Sequence, residues 1–304
     1  MDNQIVIAGP TSQRLGLKVA NLLHTRVVTT ENKVFPDGEG YLRIDIEEEA
    51  EFEGKDIIII QSLGANSTGD QNLHIMELIM MIGAAKRMKA SKIRVVVPYF
   101  AYSRQDKAFR PGECIFAEEI LKWIEIAGAT EFYTIDVHAE KIFEILKIPA
   151  YNLDPMEILA KELAKKCEDP IVICPDKGAY ERSRKFAGYL GKNVQVIQFI
   201  KKRDVKTGKI TMEGDLPIQG KDVIIADDII ASGGTMAKAI NIVKIAGAKS
   251  IYSVVTHPLM LKNAVFNLMK AGVTDIIGTD TIDSAFMQVS IAEVISKAIH
   301  SKSP

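Results

Sequence analysis

The sequence predicts an α/β protein of two domains, each built on a mainly parallel sheet with helices on its faces. The chain has 304 residues, about the length of two ordinary domains. Short apolar runs typical of buried strands alternate with helix-length amphipathic segments throughout. One helix-turn-strand segment occurs twice, at 126–138 and 245–257, with matching Ile-Ala-Gly-Ala, tyrosine and histidine positions. We interpret this match as two domains of one fold that arose by duplication.

The elements of the first half are predicted from apolar periodicity and turn residues. Strands are expected at 4–8, 56–60 and 93–97, and helices at 13–23, 71–88 and 140–146. Asp-Gly at 37–38 indicates a β-turn or hairpin. The acidic run 47–53 is typical of a solvated face.

The second half repeats the alternation of strands and helices. Strands are expected at 171–174, 194–200, 210–212 and 223–226, and helices at 180–190, from about 236 and at 290–300. The joint near Pro149 predicts an N-terminal domain of residues 1–148 and a C-terminal domain of residues 149–289. By its sequence alone, the last helix fits either domain.

Composition restricts the classes of function. The apolar fraction of 47% and the charged fraction of 25% are those of a soluble globular protein. A net charge of −1 argues against nucleic acid or a membrane surface as a partner. Three cysteines, without zinc-site spacing, indicate reduced thiols. With no signal peptide and no apolar run near ~20 residues, we expect a cytoplasmic protein.

The segment 223–235 carries the strongest functional signal. An apolar strand is followed by two carboxylates, a small-residue loop and a helix; the carboxylates and the loop are Asp227, Asp228, Ala231, Ser232, Gly233, Gly234 and Thr235. Glycines allow close backbone approach, and the free amides of a helix's first turn favour phosphate. Two carboxylates accept hydrogen bonds from two sugar hydroxyls. This pattern predicts a sugar-phosphate site; the alternative is an ordinary strand-to-helix turn with a solvated acid pair.

Two further loops combine charge with a strand exit. Residues 101–113 are dense in aromatic and cationic side chains, which suit a purine and its phosphates. An ordinary surface loop with salt bridges explains the same residues equally well. Residues 201–209 form a basic loop between two extended runs, 194–200 and 210–212. Beside a sugar-phosphate site, this hairpin predicts a lid carrying cations; the alternative is a solvated basic turn.

These motifs together resemble a known family. The segment 223–235 is similar to the phosphoribosyl-diphosphate (PRPP) loop of the type I phosphoribosyltransferase fold. The other motifs narrow the resemblance, over nearly the whole chain, to the ribose-phosphate diphosphokinases (PRPP synthetases), in their archaeal-type branch. The resemblance implies two tandem phosphoribosyltransferase-like (type I) domains, with the C-terminal helix, 290–304, returning to the first. It also implies transfer of the β,γ-diphosphoryl group of ATP to the C1 hydroxyl of ribose 5-phosphate.

The resemblance implies a role for each site residue. The expected ATP-binding residues are Phe35, Asp37, Gly38, Glu39, Arg104 and Gln105. The expected ribose 5-phosphate residues are Arg203, Asp227, Asp228, Ala231, Ser232, Gly233, Gly234 and Thr235. Lys201 and Arg203 match the catalytic lid pair, and His138 and Asp176 match the magnesium positions. The turn at 35–39 is expected to reach the nucleotide of another subunit, so a homo-oligomer is implied.

Other interpretations share parts of this pattern. His138 and Asp176 also suit structural roles at strand ends. A phosphoribosyltransferase that consumes PRPP would share the 223–235 segment, but it leaves the duplicated domain and the nucleotide motifs unexplained. A non-catalytic PRPP-synthetase-associated regulator would be expected to lose lid or metal positions. Ala231 stands where many bacterial members have Asp, so their allosteric control by ADP or phosphate is not carried over to this chain.

Overall fold

The computed structural model describes residues 3–174, 180–198 and 217–301, together with the backbone of the short strands Lys201–Arg203 and Ile210–Met212. The chain divides into two compact units. The first contains Met1–Asp154, Thr281–Asp283 and Ser290–Pro304. The second contains Pro155–Asp280 and Ser284–Val289.

The first unit is a parallel sheet with helices and one hairpin. Its strands are β1 (Gln4–Ala8), β2 (Arg26–Val28), β3 (Thr30–Val34), β4 (Gly40–Ile44), β5 (Asp56–Ile60), β6 (Lys92–Val97), β7 (Glu131–Ile135) and β8 (Ala150–Leu153). Its helices are α1 (Gln13–Leu23), α2 (Gln71–Arg87) and α3 (Phe116–Ala127), with 3-10 turns at Glu49–Phe52 and Glu140–Ile145. Six parallel strands run in the order β2-β1-β5-β6-β7-β8, while β3 and β4 form an antiparallel hairpin.

The second unit repeats this plan. Its strands are β9 (Pro170–Cys174), β10 (Val196–Gln198), β11 (Lys201–Arg203), β12 (Ile210–Met212), β13 (Asp222–Ile229), β14 (Ser250–His257), β15 (Asp275–Thr279) and β16 (Met287–Val289). Its helices are α4 (Met156–Leu163), α5 (Tyr180–Leu190), α6 (Gly234–Ile245) and α7 (Ala264–Ala271). The sheet order is β10-β9-β13-β14-β15-β16, and β11 and β12 form a hairpin. The matching strand orders confirm the predicted pair of parallel-sheet domains.

Burial explains why the central strands are apolar along their length. In β5, Ile57 to Ile60 are fully buried, and β13 begins with a similar run, Val223 to Ala226. Helices cover both faces of a parallel sheet, so successive side chains meet a core on either side. Among the helices in the described ranges, none is long and apolar enough to cross a bilayer.

The repeat that predicted duplication does not align equivalent strands. It matches β7, the fifth strand of the first sheet, with β14, the fourth strand of the second. The positional equivalent of β7 is β15. Thr130 and Thr274, which precede these two strands, make the same contacts: each Oγ1 accepts from the amide of an isoleucine, Ile93 or Ile251, at 3.0 and 2.9 Å. Helix-glycine-strand turns recur in such folds, so a local sequence match identified the fold but not which strands of the two domains correspond.

The division between the units lies later than the predicted boundary at 148. Residues Ala150–Leu153 form β8, which pairs in parallel with β7 as an edge strand of the first sheet. The break at Pro149 is therefore a turn within the first unit, and the second begins at Pro155. The final helix, α8 (Ala292–Ser301), is part of the first unit and packs on α1 and β8.

Candidate active site

The acid pair lies within the end of β13 rather than after it. The prediction ended the strand at 226, but β13 continues to Ile229 and pairs there only with β14. The described part of β9 pairs with β13 up to Ile225, so the last residues of β13 extend past this pairing at the carboxyl edge of the sheet. The amide of Asp228 donates to Asp227 Oδ1, and the amide of Ile229 donates to Asp228 Oδ1, both at 2.9 Å. Carboxylates held at such an edge are placed to meet a ligand.

Electrostatics distinguish the two carboxyl groups. Burial, followed by the charge of Asp228 and a hydrogen bond with it, raises the pKa of Asp227 to about 7. Arg182 Nη1, on α5, lies 3.8 Å from Asp228 Oδ2. Burial and a neighbouring negative charge both disfavour ionisation, whereas a nearby cation favours it. The pair therefore does not carry two full charges near neutral pH. The sequence analysis missed Arg182; a cation in the first helical turn after β9 was the signal available.

The loop after β13 is anchored to the segment that follows β14. Ile230 donates its amide to the carbonyl of His257 at 3.2 Å, and the amide of Leu261 donates to the carbonyl of Ala231 at 2.9 Å. Gly233 has a φ of +72°, and a Cβ there would lie 3.3 Å from Ala264. Glycine is required because the backbone is left-handed and closely packed at this point.

The start of α6 leaves backbone donors without partners in the described part of the chain. Within the described chain, the amides of five consecutive residues, Ser232 to Met236, make no hydrogen bond. No side chain caps this helix, and Ser232, Gly234 and Thr235 are exposed. Unpaired first-turn amides and the helix dipole favour a phosphate. The predicted loop thus has the geometry of an anion cradle next to an acid pair.

The equivalent helix of the first unit begins differently. α2 follows β5 as α6 follows β13, but the Asp70 carboxylate caps α2 by accepting from the Leu73 amide at 3.0 Å. The loop before α2 is filled by a buried polar network in which Glu77 accepts from Gln61 Nε2 at 3.2 Å and lies 2.8 Å from His74 Nδ1. A carboxylate at this helix start repels a second anion. The two sheets are alike, but only the second has this phosphate-binding geometry within the described ranges.

The predicted nucleotide residues lie on two loops of the first unit. Phe35, Asp37, Gly38 and Glu39 form the exposed turn between β3 and β4, where Gly38 has a φ of +93°. Lys33 Nζ lies 5.0 Å from the centre of the Phe35 ring. Arg104 and Gln105 follow β6 beside Tyr102, which has a φ of +64°. No hydrogen bond, ion pair or ring contact joins the turn to Arg104 or Gln105 in the described part of one chain.

Of the predicted metal and lid residues, the structure describes only some. His138 is exposed, three positions after the end of β7, and Asp176 lies outside the described residues. Lys201 and Arg203 are on β11, opposite Met212 and Ile210 of β12; this hairpin agrees with the prediction, but the two side chains lie outside the description. Among the described side chains, no group of three or more His, Cys, Asp or Glu residues could hold a metal ion.

Comparisons with known proteins cover nearly the whole chain. A family model for the N-terminal domain of ribose phosphate pyrophosphokinase matches residues 4–128, and a phosphoribosyl transferase domain model matches residues 142–273. A ribose-phosphate pyrophosphokinase from Sulfurisphaera tokodaii is 37% identical, covering 95% of this chain and 97% of that protein. One from Methanothermobacter thermautotrophicus is 35% identical, covering 96% and 98%. The crystal structure of phosphoribosylpyrophosphate synthetase from Mycobacterium smegmatis matches with a TM-score of 0.84 at 29% identity, covering 98% of each chain.

Proposed function

Because the chain belongs to the ribose-phosphate pyrophosphokinase family, we propose that it transfers the β,γ-diphosphoryl group of ATP to the C1 hydroxyl of ribose 5-phosphate, producing PRPP and AMP. The observation that carries the proposal is the cradle formed by the acid pair and the start of α6. Asp227 and Asp228 bind the ribose hydroxyls. The amides and side chains of Ala231 to Thr235 bind the 5-phosphate.

The nucleotide is proposed to bind at the two loops of the first unit. The exposed Phe35 ring stacks on the purine, while Arg104 and Gln105 contact its phosphates and polar edge. Asp37, Gly38 and Glu39 shape the turn that carries Phe35. In the described part of one chain, no hydrogen bond, ion pair or ring contact joins this turn to Arg104 or Gln105, and we propose that a second copy in a homo-oligomer completes the ATP site.

The hairpin β11–β12 is proposed as a catalytic lid. Lys201 and Arg203 hold the negative charge that develops on the transferred phosphoryl group and on the departing AMP, and Arg203 also contacts ribose 5-phosphate. Phosphoryl transfer depends mainly on positioning and charge neutralisation, so fixed cations on a closing segment are the expected devices.

Magnesium is the proposed cofactor. Mg²⁺ typically takes one or two protein ligands and completes its shell with phosphate oxygens and water. A set of one imidazole, His138, and one carboxylate, Asp176, fits that sparse pattern, and the exposure of His138 leaves it accessible. The ion would neutralise phosphate charge and polarise the attacking hydroxyl. A cytoplasmic location is proposed because both substrates are cytoplasmic metabolites.

Phosphorus NMR of the protein with Mg²⁺, ATP and ribose 5-phosphate tests the reaction. We expect AMP to appear together with a new sugar diphosphate. A Lys201→Ala variant should lower turnover by orders of magnitude with little change in ribose 5-phosphate affinity, since its contact strengthens in the transition state. Formation of ADP would identify a γ-phosphoryl kinase instead. PRPP binding without ATP consumption would favour a regulator or a PRPP-consuming transferase.

A further inference from the structure

One cation of α5 is held against the acid pair. Arg182 lies in the first turn of this helix, and its Nη1 is 3.8 Å from Asp228 Oδ2. The Arg182 and Asp228 side chains are only 19% and 13% exposed. Solvent screens an ion pair weakly when both partners are largely buried. The charge of Arg182 therefore acts on Asp228 at close range.

Among the described side chains, Arg182 is the cation recorded beside the pair. Within β13 the neighbour of Asp228 is Asp227, an anion or a neutral acid. From β14, the residue opposite Ile229 is His257, and the described part of β9 ends at Cys174. Among the described groups, the charge of Asp228 raises the pKa of Asp227 and the charge of Arg182 lowers it. Among the described side chains, α5 supplies the cation.

A cation that faces one of two adjacent carboxyl groups makes them differ in how readily they ionise. An opposite charge within about 4 Å favours the ionised form of the carboxyl that it faces, and a like charge disfavours the other. Arg182 faces Asp228, so the negative charge of the pair belongs mainly on Asp228. Asp227 then retains a proton more readily, in agreement with its raised pKa. A ribose with two neighbouring hydroxyls meets one strong acceptor and one group able to donate or accept.

We propose that Arg182 is a positioning residue for ribose 5-phosphate, which keeps Asp228 ionised and oriented to accept a hydrogen bond from one ribose hydroxyl while Asp227 bonds the other. This inference rests on the proposed function, because ribose 5-phosphate is the ligand assigned to the cradle. Arg182 does not touch the reacting atoms; it acts through Asp228.

A direct contact between Arg182 and a phosphate is the competing role. Arg182 also lines a cavity of about 480 Å³ with Glu181, Arg184 and Lys185. A cation that bound phosphate directly would contribute affinity wherever the phosphate is charged. A cation that acts through Asp228 contributes most at acid pH, where Asp228 would otherwise take up a proton. The pH dependence of binding therefore separates the two roles.

The test measures ribose 5-phosphate affinity by calorimetry from pH 5.5 to 8.5, without ATP, for the wild type and three variants. Arg182→Gln removes the charge and Arg182→Lys keeps it. Arg184→Gln is the matched control, because Arg184 is an exposed cation on the same helix. The ligand's own phosphate titrates near pH 6 and affects every variant alike.

In Arg182→Gln we expect affinity at pH 6 to fall roughly tenfold, the effect of one opposite charge near 4 Å. This loss of affinity should shrink towards pH 8.5, because Asp228 is then ionised even without the charge of Arg182. Arg182→Lys should recover most of the affinity, and Arg184→Gln should match the wild type. A loss that stays constant or grows towards pH 8.5, where the phosphate is a dianion, would mean direct phosphate contact, and an unchanged profile would mean no role; either result overturns the inference.

Circular dichroism establishes that each variant is folded. If Arg182→Gln does not fold, carbon NMR of wild-type protein labelled in its aspartate carboxyls decides the question, with signals assigned by comparison with Asp227→Asn. Asp228 should stay ionised at pH 6 while Asp227 titrates near neutrality, and the reverse order overturns the inference. The proposed function can fail separately: a wild type that binds ribose 5-phosphate with this pH dependence, yet makes no PRPP, retains the role of Arg182.

Discussion

Asp227 carries a cost to stability that its place in the cradle explains. Its folded pKa, about 7, lies well above its ordinary value of 3.8, because it is buried beside Asp228. Between these values the folded state retains a proton that the unfolded chain has released. The free energy of unfolding therefore falls as pH rises through this window. Ligand-binding residues often carry such a penalty.

Replacement of Asp227 by Asn should stabilise the unliganded protein at pH 8 and not at pH 3.5. The neutral amide removes the cost of ionising a buried carboxyl, and its oxygen can still accept from the Asp228 amide. We expect a gain on the order of 2 kcal/mol, measured by thermal unfolding at both pH values. Calorimetry should show weaker binding of ribose 5-phosphate.

Asp275→Asn is a control for which the expected change in stability at pH 8 has the opposite sign. Partial burial tends to raise the pKa of Asp275, but hydrogen bonds from Lys166 and Gln288 outweigh that effect and lower it. This carboxylate stabilises the fold above its unfolded pKa and loses that effect as pH falls through its folded pKa, so its variant should be less stable at pH 8. If Asp227→Asn instead lowers stability at pH 8, the ionisation of Asp227 is not the cost described above.

At the scale of elements, the loop before α6 has a backbone conformation and packing at Gly233 that require glycine. Gly233→Ala adds a side chain where φ is +72° and Ala264 lies 3.3 Å away. We expect a loss of about 1–2 kcal/mol from the left-handed backbone alone. Ribose 5-phosphate affinity should also fall, because the loop must shift and carry its amides with it. Denaturant unfolding and calorimetry measure the two effects.

Gly220→Ala separates backbone strain from the effect on the cradle. Gly220 has a φ of +73°, and a Cβ there would meet nothing within 4 Å. Its substitution should lower stability through the backbone term and leave affinity unchanged. Equal affinities for the two alanine variants would contradict the view that close packing of Gly233 shapes the phosphate site.

Elements were predicted well where local chemistry determines them. The predicted bounds of α1, α5, β1 and β5 agree with the structure because periodicity and turn residues act within a few positions. The end of β13 was placed too early because the acid pair was taken as its limit. Pairing with β14 keeps the chain extended past Asp227 and Asp228, and that pairing partner is distant in sequence.

At the scale of the molecule, the last helix completes the unit in which the chain began. In α8, Ile295 and Ile299 are fully buried, and the carbonyl of Ile299 accepts from Arg94 Nη1 of β6 at 3.0 Å. Arg94 is itself buried and lies 3.2 Å from the Asp56 carboxylate of β5. One arginine thus links two strands of the first sheet to the C-terminal helix.

Ile295→Ala should destabilise the first unit in particular. Removing a fully buried isoleucine side chain costs about 2–5 kcal/mol through lost burial and the cavity left behind. Hydrogen exchange should speed up in peptides of α1 and β8, the neighbours of α8, more than in β13 and β14. Lys297→Ala is the matched control, since that side chain on the same helix is 77% exposed. Faster exchange confined to β13 and β14 would contradict the placement of α8.

The sequence by itself determined the fold class and the position of the cradle loop, because these depend on period and turn chemistry, and its short motifs supplied the resemblance on which the proposed site residues rest. The tertiary structure decided what depends on distant partners. It placed β8 in the first sheet and showed that β7 and β15 hold equivalent positions in the two sheets. It capped α2 with Asp70 but left the first amides of α6 without partners in the described chain, and it brought Arg182 close to Asp228. Arg182 and Asp228 are far apart in the chain, and only the parallel pairing of β9 with β13 aligns the helix after one strand with the end of the other.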